Sequence, residues 1–395
     1  MKTVGIICEY NPLHLGHITH MEKTRAILGD DTAIVCAMSG NYVQRGDFAI
    51  FSKYARAKAA VKCGADLVVE IPSPYVLQSA QGYGDAGIYL LDKMGICDYV
   101  SFGSESGNIK ELTQTAELFE SEEFNTFLQK GLGEGLSYAH AYQRAADEIM
   151  GSNCMVLQSS NNLLGIEYIK AIKTQGSLME PMTIKRIRSE ELSGNSQEAS
   201  KIRKQLKNNE EALELLPEAA MEVFKLEMTN TRGPIFMDDF EQAMMSRLRT
   251  MDEKEELFAD IEGLGRRFIK NAKEEGTIEK ILESTKSKRY TMSRIRRLLL
   301  CACLGFSPED TQKPPPYARI LAMNSTGKKL LKTAKTNGQL PIITKPAQAK
   351  KIGGEPLRLF EKEAAATDFY VLAYPNAQMR SGGQEWRSTP YVIND

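Results

Sequence analysis

Long apolar runs are missing from this chain of 395 residues. The longest fall far short of a membrane span, and no secretory apolar region follows Met1. Cysteine is scattered and odd in number: Cys8, Cys36, Cys63, Cys97, Cys154, Cys301 and Cys303, with no C-x-x-C pair. That pattern supports neither a disulfide framework nor a zinc site, so no protein-bound metal is expected and a reducing cytoplasmic setting is. Net charge is also nearly absent, 50 Lys and Arg standing against 51 Asp and Glu. The whole chain therefore does not announce a nucleic-acid partner, and any such signal must be local. No G-x-x-x-x-G-K-[ST] occurs, which excludes a P-loop. Histidine is scarce, with four in the chain, and three of them, His14, His17 and His20, fall within seven residues.

What is present begins at that cluster. Thr3 to Cys8 is a short apolar run, the pattern of a buried parallel strand. Asn11-Pro12 breaks it, and from Ile18 to Leu28 the apolar spacing is helical, closing at Gly29-Asp30. His14-Leu15-Gly16-His17 thus sits where a first strand hands over to a first helix. A helix start offers unpaired N–H groups and partial positive charge, a natural phosphate site. Gly16 lets a phosphate or flat ring approach the backbone. Two imidazoles can donate to oxygens that gain charge when a nucleotide α-phosphate is attacked. His20 is the least committed of the three and also suits a helix face.

Further strands are expected at Thr32–Met38, Ala65–Ile71, Cys97–Phe102, Met155–Gln158 and Met182–Ile187, with helices between them. Alternating strands and helices predict a parallel sheet with right-handed crossovers. Polar loops at the carboxyl ends of such strands are the usual home of ligand contacts. The loop from Ser39 to Asp47 carries Arg45, which can meet a phosphate or carboxylate or merely cap neighbouring structure. Ser52 caps a helix over Lys53–Cys63 that presents Lys53, Arg56 and Lys58; Lys53 is read with Arg45 as a group handling phosphate or acetate, Lys58 as solvated. Gly103 to Gly107 forms another such loop. Gly82, Gly84 and Gly87 match G-x-G-x-x-G, but they fall inside a helix and are read as small residues for close packing. Asn161 and Asn162 suit a helix start. Ser200, placed to cap a later helix, and Arg203 one turn in make a second anion site.

From about Pro217 strand signals fade and charged helical segments take over, as in Glu253–Lys273. The expected division is residues 1–215 as nucleotide-binding domain and 216–395 as a mainly helical, basic domain. Lys286 to Arg297 holds six basic residues and no acidic one: Lys286, Lys288, Arg289, Arg294, Arg296 and Arg297. With Tyr290 among them as a stacking ring, the segment suits a nucleic-acid backbone; a solvated helix face is the competing reading. Lys313 to Pro316 reads as a stiff linker, and Asn324 to Lys329 as a basic turn.

The strings Cys8-Glu-Tyr-Asn-Pro-Leu-His-Leu-Gly-His17, Met38-Ser-Gly-Asn-Tyr-Val-Gln-Arg-Gly46, Gly64-Ala-Asp-Leu-Val-Val-Glu-Ile-Pro72 and Phe102-Gly-Ser-Glu105 resemble the bacterial tRNA(Met) cytidine acetate ligase family, as do Asn161-Asn162 and Lys288-Arg-Tyr-Thr291. The resemblance runs over nearly the whole chain. It implies a Rossmann-like nucleotidyltransferase domain followed by a mainly helical tRNA-binding domain. It implies that ATP, with Mg2+ as counter-ion, activates acetate as acetyl-adenylate. The acetyl group then passes to N4 of the wobble cytidine of elongator tRNA(Met). The implied ATP site comprises Ile7, Cys8, Glu9, Tyr10, Asn11, Pro12, Leu13, His14, Leu15, Gly16, His17, Ile18, Thr19 and His20, with Gly103, Asn162, Arg186 and Ile187. The chain departs from the family after Ile187, where Arg188-Ser-Glu-Glu-Leu-Ser replaces the usual Tyr-His-Asp region. An adenylyltransferase making a small nucleotide cofactor is the rival, but the long helical C-terminal half is more than such an enzyme needs. A non-catalytic tRNA-binding protein is the third reading, disfavoured by the intact His-x-Gly-His.

Overall fold

The computed structural model describes residues 1–136, 138–151, 159–186, 199–208, 210–251 and 263–393. The expected strand Met155–Gln158, Ile187 with the polar loop after it, and the start of the Glu253–Lys273 helix lie outside the described residues. The first half contains β1 (Thr3–Cys8), α1 (Leu15–Leu28), β2 (Ala33–Ser39), β3 (Tyr42–Val43), β4 (Asp47–Phe48), α2 (Lys53–Lys62), β5 (Leu67–Ile71), α3 (Ser73–Val76), α4 (Ala80–Lys93), β6 (Tyr99–Ser104), α5 (Ile109–Phe119), α6 (Glu122–Gly133), α7 (Tyr138–Met150), α8 (Ser160–Thr174), β7 (Glu180–Lys185) and α9 (Ala199–Asn208). There follow α10 (Glu218–Thr229), α11 (Glu241–Thr250), α12 (Leu264–Glu274), α13 (Ile278–Thr285), α14 (Met292–Leu304), β8 (Ala318–Met323), α15 (Ser325–Asn337), β9 (Ile342–Ile343), α16 (Ala347–Ile352), α17 (Gly354–Val371), α18 (Gln384–Arg387) and β10 (Tyr391–Val392).

The main sheet runs β10-β8-β5-β2-β1-β6-β7, with β9 beside β8. From β5 to β7 every pairing is parallel, whereas β8 joins β5 antiparallel. Successive strands step outward from β1 through β2 to β5, and β6 then starts again on the other side of β1. The switch point of the sheet is therefore between β1 and β6, where ligands of such sheets bind at the carboxyl ends. Both faces are covered, which explains the unbroken apolar strands. Ile7, Val35 and Val69 point to a core shared with α4 and α8, and Val4, Ile6, Ile34, Cys36 and Val68 to one shared with α2 and α10. The glycine decoy is resolved as packing: a Cβ on Gly87 would stand 2.6 Å from Ile7 Cδ1, and one on Gly84 3.1 Å from Tyr168 Cδ1.

Helices dominate after residue 216, as expected, but the sheet does not end there. β8 was hidden because the six-residue run Ala-Arg-Ile-Leu-Ala-Met is broken by a charge and follows prolines. The expected basic turn at Asn324–Lys329 is a helix start, with the Asn324 side chain capping α15. Helices α11 to α14 build a further core with Tyr42 and Phe48, so the expected loop at Ser39–Asp47 is a two-stranded hairpin wedged against them. Among the described residues no helix is long and apolar enough to cross a membrane.

Two fully buried cations fasten these parts. Arg56 donates through Nε to the Phe51 carbonyl at 3.0 Å and through Nη2 to the Ser39 carbonyl at 3.1 Å. It also donates to the carbonyls of Glu9 and Gly40. Lys53 contradicts the expectation of a phosphate or acetate contact. It is 0% exposed, with Nζ 2.7 Å from Glu70 Oε1 and 2.7 Å from Glu385 Oε2. Arg319 Nε lies 3.2 Å from the other oxygen of Glu385. Burial works to lower the Lys53 pKa, but Glu385 and Glu70 outweigh it and raise it. Lys53 is thus a structural ion joining α2 to β5 and to residue 385.

Lys53→Met is expected to destabilise the fold by about 3–5 kcal/mol, since it leaves Glu70 buried without a cation and Glu385 with Arg319 alone. Urea unfolding checks this; a stable variant with impaired kinetics would instead restore the catalytic expectation.

Candidate functional site

The histidines are placed by the start of α1. His14 is the N-cap, in extended backbone, and its Nδ1 accepts the Gly16 N–H at 3.1 Å. His17 Nδ1 accepts the His14 N–H at 3.2 Å in return. This reciprocal capping box has a chemical consequence. Each Nδ1 lone pair is used by a backbone donor, so the neutral proton sits on each Nε2. The ring centroids lie 3.8 Å apart at 36°, so the two imidazoles pack against each other, each with its Nε2–H left to donate. Protonating either ring at Nδ1 would oppose two donors. Burial, then Arg186 and Arg203, lowers the His14 pKa to about 4. Burial, then His14 and Arg186, holds His17 well below its ordinary value. A Cβ on Gly16 would lie 2.9 Å from His14 Cε1, so Gly16 is needed first for the cap and only then for a ligand.

His20 has another task. Its Nε2 is 2.9 Å from Ser101 Oγ, which Thr24 Oγ1 also meets at 3.0 Å, tying α1 to β6. Burial, then Arg186, lowers its pKa to about 4. Ile7, Cys8, Tyr10 and Leu13 are buried beneath the motif, while Leu15, Ile18 and Thr19 lie along the first turns of α1. Tyr10 holds φ 46°, a left-handed conformation uncommon outside glycine, and its ring meets His17 edge-on at 4.8 Å.

Other predicted residues converge on the same strand ends. The Arg186 stem passes over Gly103, where a Cβ would lie 3.2 Å from Cγ, and its charge reaches all three histidines. Arg203 donates to the Asn11 carbonyl at 2.7 Å, so the second anion site folds onto the first. Ser200 does not cap: it is exposed inside the first described turn of α9. Asn162 does not cap α8 either. Its Oδ1 accepts the N–H groups of Glu105 at 2.9 Å and Ser106 at 3.3 Å, bracing the loop after β6. Arg45 donates to Ser160 Oγ at 3.2 Å, beside α8. Glu9, at the end of β1, accepts the Gln44 N–H at 2.7 Å; burial raises its pKa against the pull of Gln44, Arg56 and Arg203. The carbonyl clamp of Arg56 was missed, although an arginine set among alanines in a short helix was a signal that it is buried.

The basic segment lies across the hairpin from this cluster. Lys286, Lys288 and Arg289 are exposed, and Arg294, Arg296 and Arg297 are half-buried. Tyr290 is 7% exposed within the helical core, with the Arg294 guanidinium 5.4 Å over its ring, so it offers no free stacking face. Its burial fits the competing reading of this segment, in which Tyr290, Ile295 and the leucines after Arg297 pack inward. Gly46, at φ 76°, touches α14: a Cβ there would be 2.5 Å from Arg297 N. Arg297 Nη1 lies 3.4 Å from the Gln44 carbonyl.

Residues 1–385 match the family model of the HIGH nucleotidyl transferases. The tRNA(Met) cytidine acetate ligase of Acetivibrio thermocellus is 38% identical over 100% of both chains. That of Thermosipho africanus is 35% identical, again over 100% of both. Two crystal structures of Thermotoga maritima TmcAL cover 100% of both chains: bound with alpha-thio ATP (TM-score 0.92, 31% identity) and apo (TM-score 0.93, 30% identity).

His17→Ala is expected to lower the rate of nucleotide activation by roughly 10²–10³ with the fold intact. Unchanged turnover, with native-like thermal unfolding, would remove its role. Acid sensitivity follows from the same rings. His14 and His20, at about 4, lie below their ordinary value of 6.5. As pH falls below 6.5, the unfolded chain takes up their protons first, so stability from these groups is lost between 6.5 and about 4. Thermal unfolding across that window checks the slope.

Proposed function

This chain belongs to the tRNA(Met) cytidine acetate ligase family, and from that premise we propose that it activates acetate with ATP and acetylates N4 of the wobble cytidine of elongator tRNA(Met). In the first half-reaction an acetate oxygen attacks the α-phosphate, acetyl-adenylate forms and pyrophosphate leaves. In the second, N4 attacks the acetyl carbonyl, AMP leaves and N4 gives up a proton. The observation that carries the reading is the paired Nε2–H donors of His14 and His17 at the sheet's switch point, with Arg186 and Arg203 beside them. Donors already aimed where phosphate charge develops stabilise it without reorganising. The adenine and ribose then fall to the loop braced by Asn162 and to Gly103. Mg2+ enters as the counter-ion of ATP.

Acetate-dependent pyrophosphate release without tRNA, and transfer of labelled acetate to elongator tRNA(Met) with it, test the two halves. Release that needs no acetate would favour a cofactor adenylyltransferase; tRNA binding without release would favour a binding protein. The tRNA itself is assigned to Lys286–Arg297. Alanine at Lys288, Arg289 and Arg296 is expected to weaken tRNA binding and to reduce the salt slope by about one unit per lost phosphate contact. Pyrophosphate release without tRNA should persist. Normal binding by the triple variant across a salt series would make the segment a solvated face.

A further inference from the structure

Acetyl transfer to an exocyclic amine sheds a proton, and the residues already described leave few groups able to take it. His14 and His17 hold a proton on Nε2 and spend Nδ1 on the capping box, so neither ring is a free base. His20 is engaged with Ser101. The arginines around the strand ends are donors only. Glu105 is occupied by Ser159, by Asn161 Nδ2 at 2.6 Å and by Arg186 Nε at 3.6 Å.

Glu9 differs from all of these. It sits at the carboxyl end of β1, five residues before His14, on the border of the switch point. One carboxylate oxygen, Oε1, is fixed by the Gln44 N–H at 2.7 Å. Among the described residues no protein donor bonds Oε2, and Glu9 is half-buried, not sealed. The carboxylate is thus oriented by one oxygen and open at the other. Arg203 donates to the Asn11 carbonyl at 2.7 Å, in the turn that leads from Glu9 to His14. The hairpin that holds Glu9 also rests on α14, so Glu9 lies on the side of the site facing the basic segment.

We propose that Glu9 is the general base of the acetyl-transfer half-reaction, deepening the functional reading above and resting on it. The N4 lone pair forms a bond to the acetyl carbon. The bond from that carbon to the adenylate oxygen breaks with its electron pair going to AMP. The proton on N4 passes to Glu9 Oε2 and from there to water. Burial favours such a role, since it raises the carboxyl pKa towards the working pH, where a base is most effective. The Gln44 N–H, Arg56, Arg203 and Arg45 pull the other way. Asp47 is the competitor, since its Oδ1 likewise accepts a backbone N–H, from Phe48 at 2.9 Å, with Arg296 and Arg203 around it; Glu9 is set apart by its place at the end of β1, beside the turn that leads to His14.

The test separates the half-reactions in the full-length enzyme. Acetyl-adenylate is formed first, elongator tRNA(Met) is added, and single-turnover transfer is timed against acetate-dependent pyrophosphate exchange. Glu9→Gln is expected to slow transfer by about 10²–10⁴ beyond any change in exchange. The rise of wild-type transfer with pH should flatten in Glu9→Gln and return in part in Glu9→Asp, which also serves should the glutamine variant fail to fold. An equal fall in transfer and exchange would overturn the proposal and make Glu9 an ATP contact. So would unchanged transfer, or a selective loss in Asp47→Asn instead. Wild-type enzyme that forms no acetyl-adenylate would overturn the functional reading itself, a result distinct from these.

Discussion

A single buried guanidinium sets the geometry on which the site depends. Arg56 gathers carbonyls from the end of β1, the end of β2 and the segment leading into α2. Parallel strands end in unpaired carbonyls that repel one another and any incoming phosphate. A cation placed beneath them satisfies those groups and reverses the local field. The chain can then leave β1 in the strained turn at Tyr10 and enter α1 at His14. That clamp fixes the backbone at Glu9 and at the start of the hairpin, while Gln44 holds the Glu9 side chain.

The paired histidines inherit their tautomer from secondary structure. A capping box is ordinarily a device of local stability. Here its two side chains are imidazoles, so closing the box also selects which ring nitrogen carries the proton. The neutral state is supported by burial and by Arg186 and Arg203, cations that also suit an anionic substrate. The hairpin β3–β4 extends this order outward. Gln44 reaches Glu9 on one side and Arg297 on the other, so one short turn spans from strand end to basic helix.

Much of this was legible in the residues. Apolar strands, capped helices and the His-x-Gly-His handover were readable because both depend on neighbours in sequence. Arg203 was readable as an anion group from its place one turn into a helix, and Arg186 came only with the family resemblance; the structure brings both beside the histidines. What escaped was long-range. Lys53 looks like a helix-face charge until Glu385 arrives from the far end of the chain. Tyr290 looks available among cations until helices α11 to α14 enclose it. Asn162 carries every local mark of a cap, yet a loop 56 residues away recruits it. Each error concerns a side chain whose partner no local rule can name.

The Lys53 network has a meaning for the order in which the protein becomes itself. Its carboxylate Glu385 is translated long after Lys53, Glu70 and Arg319. Until Glu385 is made, Lys53 has Glu70 alone and Arg319 lacks the carboxylate it meets in the folded protein. Glu385 therefore ties the far end of the chain to the middle of the sheet that carries the histidines, and a chain cut before it would leave Arg319 there without its carboxylate.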